Sequence, residues 1–128
     1  MLASNLLRVS VILVLIGMAL GIGMGVSQDF RLAPAHAHLN LVGFVALFLA
    51  GLYYNAVPEV AKTRLAAIHA WTAVIGAIAF PLGIALVMLD GPAYDPVAIV
   101  GSLIVFAGMV LFAFIVCRHG IAPAAKRA

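Results

Sequence analysis

The sequence predicts an all-α fold: a bundle of four transmembrane helices with both termini in the cytoplasm. Three observations predict it. The 128 residues are 66% hydrophobic and 9% charged, with a mean hydropathy of +1.26. The apolar residues form four long runs, and the basic residues fall on alternate sides of those runs. A water-soluble domain of this length needs more polar surface, so the predicted solvent is lipid. Nucleic acid is not a predicted partner, because the seven Lys and Arg form no basic stripe.

The four runs predict helices at about residues 7–27, 34–57, 63–90 and 96–118, within a single membrane domain covering residues 1–128. Each run is long enough to cross roughly 30 Å of hydrocarbon at about 1.5 Å per residue. Pro34 and Pro96 suit the first turn of a helix, and Asp95 is placed to cap the fourth. The connections between the runs are therefore short.

Charge placement predicts the orientation. Six of the seven basic residues share one side of the membrane if the chain crosses it four times: Arg8, Lys62, Arg64, Arg118, Lys126 and Arg127. Asp29, Asp90 and Asp95 fall on the other side, together with Arg31. The positive-inside rule then puts both termini in the cytoplasm, and we expect a multi-pass protein of the bacterial inner (plasma) membrane. The alternative, a cleaved signal peptide in the first run, lacks a clear A-x-A site and would spoil the charge alternation.

Glycines recur at helical spacing along three of the runs, which predicts close packing between helices in lipid. They are Gly17, Gly21 and Gly25 in the first run, Gly76 and Gly83 in the third, and Gly101 and Gly108 in the fourth. No charged side chain lies well inside any run, which disfavours an ion carrier built on buried carboxylates.

Two histidines and an asparagine lie within five residues at the outer end of the second run. Polar groups in this position are costly and need partners. Residues two apart on a helix are separated by about 200°, so His36 and His38 point to nearly opposite sides and cannot bind one metal ion together. Asn40 lies one turn below His36, and Gly43, close to the same stripe, leaves room for a flat ligand.

The pair favours haem iron over zinc, because imidazole stands here in an apolar setting without a nearby carboxylate. A haem near the outer boundary keeps its ring in lipid-like surroundings and its propionates at the surface, where Arg31 can pair with them. The sequence thus predicts haem b, with His36 and His38 as iron ligands. Asn40, Gly43 and Arg31 complete the predicted cofactor-binding set. The alternative is that both histidines only anchor the helix end at the interface.

The segment 34–44 (PAHAHLNLVGF) resembles the second helix of subunit I of the haem–copper oxidases, especially the cbb3-type oxidases and nitric oxide reductases. In that family a histidine of this helix binds low-spin haem b, and His36 matches it when Gly43 and Phe44 are aligned. The pair also resembles the His-x-His of the family's tenth helix, which ligates two haems on opposite sides. The family's copper-binding histidine pair has no counterpart in the third run, so no copper is predicted and enzymatic activity is left open.

The resemblance also implies an oligomer. Subunit I is built from three four-helix arcs around a pseudo-threefold axis, and this chain resembles one arc. Three copies would place His36 of one subunit opposite His38 of the next, which favours a homotrimer with a haem at each interface. Electron transfer is then implied, with a redox partner or quinol, or binding of oxygen or nitric oxide if one axial position is open. The alternative is a cofactor-free scaffold or accessory subunit of a larger complex.

The remaining candidate residues have structural interpretations. His69 is predicted to be a packed or interfacial residue rather than a second site. Tyr53 and Tyr54 are predicted to form an interfacial aromatic belt. The single cysteine, Cys117, excludes an internal disulfide and covalent c-type haem attachment, which needs C-x-x-C-H. Met24 is a remote alternative axial ligand.

Overall fold

A computed structural model describes residues 1–120. All of the regular structure in that part of the chain is helical, and four of its helices are long and apolar enough to cross a membrane. The predicted all-α four-helix bundle is therefore confirmed. Lys126 and Arg127, two of the orientation signals, lie outside the described residues.

The four long helices are named α1 to α4 in chain order. They are α1 (Leu2–Ser27), α2 (Ala33–Ala56), α3 (Arg64–Asp90) and α4 (Asp95–His119). A single helical turn, Pro58–Ala61, separates α2 from α3, and a 3₁₀ turn, Pro92–Tyr94, separates α3 from α4. The ends agree with the sequence prediction except at α1, which begins about one turn earlier than predicted.

The starts of α4 and α3 are capped in different ways, and the start of α4 differs from the sequence prediction. Asp95 does not cap α4: it is already helical (φ −49°, ψ −41°), because the 3₁₀ turn before it runs directly into the helix. Tyr94 takes the N-cap position, without a side-chain hydrogen bond. Thr63 caps α3 instead, and its Oγ1 accepts a hydrogen bond from the Ala66 amide at 3.2 Å.

Helix α2 is not a uniform α-helix. Its first part, Ala33–His38, is α-helical, the next eight residues, Leu39–Ala46, form a π-helix, and Leu47–Ala56 is α-helical again. π-Helical turns are rare and occur frequently at functional sites. The widened stretch begins directly after His38.

The glycines pack helices together as predicted, with one exception. Gly17 and Gly21 of α1 face α2, and Gly83 of α3 and Gly101 of α4 lie against the backbone of the opposite helix. Gly25 faces open space. Helix α2 lies between α1 and α3, whereas α4 packs mainly against α3.

The outward surface of the bundle is apolar. Trp71 is 71% exposed, Phe106 is 70% exposed and Ile22 is 67% exposed. Each of the four long helices also carries exposed large aliphatic side chains. An apolar surface of this extent is far larger than the patches that water-soluble proteins tolerate. The exposed side chains are therefore compatible with a multi-pass membrane protein whose outer face contacts lipid.

Candidate functional site: the histidine pair of helix α2

Both histidines lie in the first two turns of α2. Pro34 occupies the start of this helix, where a backbone N–H has no helical partner and its absence costs nothing. His36 and His38 are two positions apart in the short α-helical segment, which sets the angle between their side chains. The π-helix follows immediately. Each ring is half-buried.

His36 faces α1. Its Nδ1 lies 2.9 Å from the carbonyl oxygen of Gly17, and its Nε2 lies 3.1 Å from the Asn40 amide nitrogen. A carbonyl oxygen only accepts, so the neutral ring carries its proton on Nδ1 and donates to Gly17. Gly21 provides the space for the ring: a Cβ there would lie 2.9 Å from His36 Cε1. Nε2 is left as the acceptor, and the Asn40 amide donates to it.

His38 faces α3. Its Nδ1 lies 2.8 Å from the Pro34 carbonyl oxygen, to which it donates. The ring packs edge-on against Phe80 of α3, with ring centroids 4.8 Å apart. Its Nε2 has no hydrogen-bond partner within residues 1–120. The two histidines thus contact different helices, as their separation of about 200° predicts.

Asn40 and Gly43 also face α1, as the predicted stripe requires. The Asn40 Oδ1 is buried and has no hydrogen-bond partner among the described residues, so this amide is held on one side only. Gly43 gives no open space in a single chain: the site of its missing Cβ lies 3.1 Å from Leu13 Cδ1. The expectation that Gly43 leaves room for a flat ligand is therefore not met within one chain, because Leu13 of α1 fills that room.

Arg31 lies in the loop before α2 and is paired with Asp29. The guanidinium and the carboxylate approach to 2.7 Å, and the backbone N–H of Arg31 also donates to that carboxylate. These hydrogen bonds from Arg31 hold the pKa of Asp29 below its usual range. Both side chains are exposed, and exposed pairs contribute little to stability. The guanidinium therefore remains free to exchange its carboxylate partner.

The two histidines offer a metal one ligand each. Residues 1–120 hold no group of three or more His, Cys, Asp or Glu side chains that would bind a metal ion together. A structural zinc site needs four such ligands, whereas each axial position of a haem needs one. The arrangement therefore fits an axial ligand to haem better than a protein-only metal cage.

A second polar cluster, absent from the sequence prediction, is buried at the other end of the bundle. The Tyr54 hydroxyl lies 3.0 Å from His69 Nδ1, and the His69 ring stacks on Phe112 at 4.7 Å. Tyr54 and His69 are each 1% exposed. The predicted packed role of His69 is confirmed. The turn between α2 and α3 is short, which brings the end of α2 close to the start of α3. This is the one feature of the sequence that could have indicated the contact between Tyr54 and His69.

The prediction of an interfacial belt at Tyr53 and Tyr54 is wrong. Tyr53 is 9% exposed, and its hydroxyl donates to the Gly120 carbonyl at 3.2 Å. Both rings are buried and both hydroxyls bond to other residues of the chain, so neither tyrosine presents its ring at the outer surface of the bundle.

Comparison of the chain with protein-family models, curated proteins and solved structures finds no match. The resemblance to haem–copper oxidase subunit I thus depends on the segment 34–44 and on the helix layout, and it stays a prediction. The geometry of His36 and His38 is consequently the main guide to function.

Proposed function

We propose that this chain is a haem-b-binding membrane protein that works as a homo-oligomer, preferably a homotrimer, and transfers electrons in the inner membrane of a bacterium. His36 and His38 would hold the haem iron, and haem b would supply the one-electron chemistry when bound. The chain is taken to have both termini in the cytoplasm.

One observation carries this proposal: both histidines donate Nδ1–H to a backbone carbonyl, at 2.9 Å for His36 and 2.8 Å for His38. A histidine that binds a metal through Nε2 almost always donates its other ring N–H in this way, which fixes the tautomer and the ring orientation. The Nε2 of His38 is available to bind iron without any rearrangement, since it has no protein partner within residues 1–120.

His36 needs one rearrangement before its Nε2 is free. The Asn40 amide, which donates to that nitrogen, must turn away. The cost is limited, because the Asn40 Oδ1 has no partner in its present position within the described chain. At the protein surface, the weak exposed pair with Asp29 leaves Arg31 able to bind a propionate.

The direction of the two rings is the argument for an oligomer. His36 contacts α1 and His38 contacts α3, so the two side chains of one chain do not converge on one iron. A bis-histidine site would therefore need a histidine from a second subunit, and we propose that His36 of one subunit meets His38 of the next, since both side chains are only half-buried in one chain. If both histidines held the iron, no position would be left for oxygen or nitric oxide, so electron transfer is favoured, with a redox partner or a quinol as the electron donor.

The second candidate is a cofactor-free scaffold or accessory subunit. It is favoured by the close packing around His36, where Asn40 occupies Nε2 and Leu13 fills the space at Gly43. In that function both histidines would only join α2 to its neighbours.

The two candidates are distinguished by an optical spectrum of the purified protein, oxidised and then reduced, after expression with an adequate haem supply. We expect a Soret band and, on reduction, the sharp α and β bands of six-coordinate haem b. The bands should be lost in both His36→Ala and His38→Ala and retained in His119→Ala, a matched control at the end of α4. Colourless wild-type protein would favour the scaffold.

Gly21→Ala tests the positioning of His36. The new Cβ would lie 2.9 Å from His36 Cε1, so the ring must shift and haem occupancy should fall. Gly25→Ala, on the same helix with nothing within 4 Å, should bind haem like the wild type. A monomeric mass in mild detergent with a full haem complement would refute ligation between subunits.

A further inference from the structure

A groove of about 560 Å³ lies between α1 and α3 at the ends of these helices that we place in the cytoplasmic leaflet. It forms because both helices pack against α2 but approach each other little. Its floor and walls are mostly apolar, and the small side chains of Ala67 and Ala70 on α3 give it depth. The volume lies within the range of small-molecule and lipid sites.

Three of the side chains that line this groove are polar or amphipathic. Asn5 and Arg8 line it from α1, and Trp71, the only tryptophan of the chain, lines it from α3. Arg8 is exposed and forms no ion pair with any carboxylate of residues 1–120. A guanidinium without an ion pair among residues 1–120 and an indole, both beside apolar side chains, offer contacts to the charged head and to the hydrocarbon chain of a lipid.

We propose that this groove binds an anionic phospholipid of the cytoplasmic leaflet. An acyl chain lies along the apolar part of the groove, and the phosphate pairs with Arg8 while the Asn5 amide donates a second hydrogen bond. Guanidinium is well suited to phosphate, because its N–H groups bind two oxygens at once. The site is separate from the histidine pair and does not depend on haem.

The positive charge of Arg8 favours an anionic phospholipid over two other occupants of the groove, an isoprenoid quinone and a second copy of the chain. An isoprenoid quinone has a neutral head, so its binding would not depend on the positive charge of Arg8. A second copy of the chain would have to supply a carboxylate to Arg8, and the carboxylates of the predicted cytoplasmic side within residues 1–120 are limited to Glu59, which is already paired with Lys62 at 2.7 Å. The cytoplasmic leaflet itself is rich in anionic lipid.

Trp71 allows the proposal to be tested by fluorescence. The protein is reconstituted in phosphatidylcholine vesicles that contain increasing fractions of either dibrominated phosphatidylglycerol or dibrominated phosphatidylcholine, and the quenching of Trp71 is compared at equal mole fraction. Only lipid in contact with the indole quenches it. One basic residue near a membrane surface corresponds to roughly a fivefold preference for an anionic head.

We expect this preference in the wild type, its retention in Arg8→Lys and its loss in Arg8→Gln. Arg64→Gln, which removes a cytoplasmic-side arginine outside the groove, should keep it. Ala67→Leu fills the groove without changing charge and should also reduce the preference, and circular dichroism verifies that each variant is folded.

Four results would overturn the proposal. Equal quenching by the two lipids in the wild type, or a preference that survives Arg8→Gln, would show that the site does not select an anion. Relief of quenching by added ubiquinone, equally in wild type and Arg8→Gln, would assign the groove to a quinone. Quenching that falls as protein density rises, with no lipid selectivity, would assign it to a second copy. The quenching experiment can be interpreted whether or not the protein binds haem. Failure of the lipid proposal can therefore be distinguished from failure of the haem proposal.

Discussion

Gly83→Ala tests the close packing of α3 on α4. A Cβ at this position would lie 2.6 Å from the backbone nitrogen of Ala98 and 2.7 Å from its Cα. Carbon atoms in contact are ordinarily about 3.5–4.0 Å apart, so the two backbones must separate by on the order of 1 Å. No rotamer change relieves the clash, because the opposing atoms belong to the backbone.

The expected net loss for Gly83→Ala is about 2 kcal/mol. Overpacking costs about 1–3 kcal/mol, and the upper end applies where backbone must move. The better helix propensity of alanine returns up to about 1 kcal/mol. Gly25→Ala should gain stability from the better helix propensity without any clash, because nothing lies within 4 Å of its Cβ position. The two variants should therefore differ by roughly 3 kcal/mol in the free energy of unfolding.

The assay is reversible unfolding in mixed micelles by increasing mole fraction of dodecyl sulfate, followed by far-ultraviolet circular dichroism. Gly83→Ala should unfold at a lower mole fraction than wild type, and Gly25→Ala at the same or a higher one. Equal midpoints for the two variants would refute the argument, since they would mean that α3 and α4 do not need a glycine at this crossing.

Three further predictions follow from polar contacts between side chains or at a helix cap. Tyr54→Phe leaves the buried His69 Nδ1 without its partner and should cost about 1–3 kcal/mol in the same assay; an unchanged midpoint would contradict the bond. Thr63→Ala removes the cap of α3 and should cost about 1 kcal/mol, whereas Thr63→Ser should retain most of the stability. Arg31→Gln should raise the pKa of Asp29 towards its ordinary range, as measured by carboxyl-carbon NMR. Because the folded-state pKa is lowered, the small stabilisation by this pair is present above the ordinary pKa and lost as the pH falls through the lowered one. An NMR titration midpoint of Asp29 that is the same in wild type and Arg31→Gln would exclude the pair.

The sequence indicated the helices because each is a long apolar run with recognisable ends. The divergence of His36 and His38 was also predictable, since it follows from the helical repeat and needs no knowledge of the neighbours. The same local reasoning failed at Asp95, because the 3₁₀ turn before it moved the helix start by one residue.

The candidate site was predicted in its residues but not in its contacts. The sequence placed Asn40 and Gly43 on the side of His36, which the structure bears out, but it gave no sign that Leu13 fills the space beside Gly43. Nor did it indicate the π-helix at Leu39–Ala46. The contact between Leu13 and Gly43 joins residues that are distant in the chain, and no local sequence pattern indicates it.

The number of helices, their apolar character and the separation of the two histidine rings were determined by the sequence alone, because hydropathy and helical periodicity are local properties. Tertiary structure alone decided that the Nδ1 of His36 meets the Gly17 carbonyl of α1. The burial of Tyr54 against His69 was decided in the same way. The Pro34 carbonyl at the Nδ1 of His38 and the Asn40 amide at the Nε2 of His36 are contacts one turn apart within α2. In lipid, apolar surface no longer specifies which sides of the helices meet, so close packing and the pairing of polar groups make that choice.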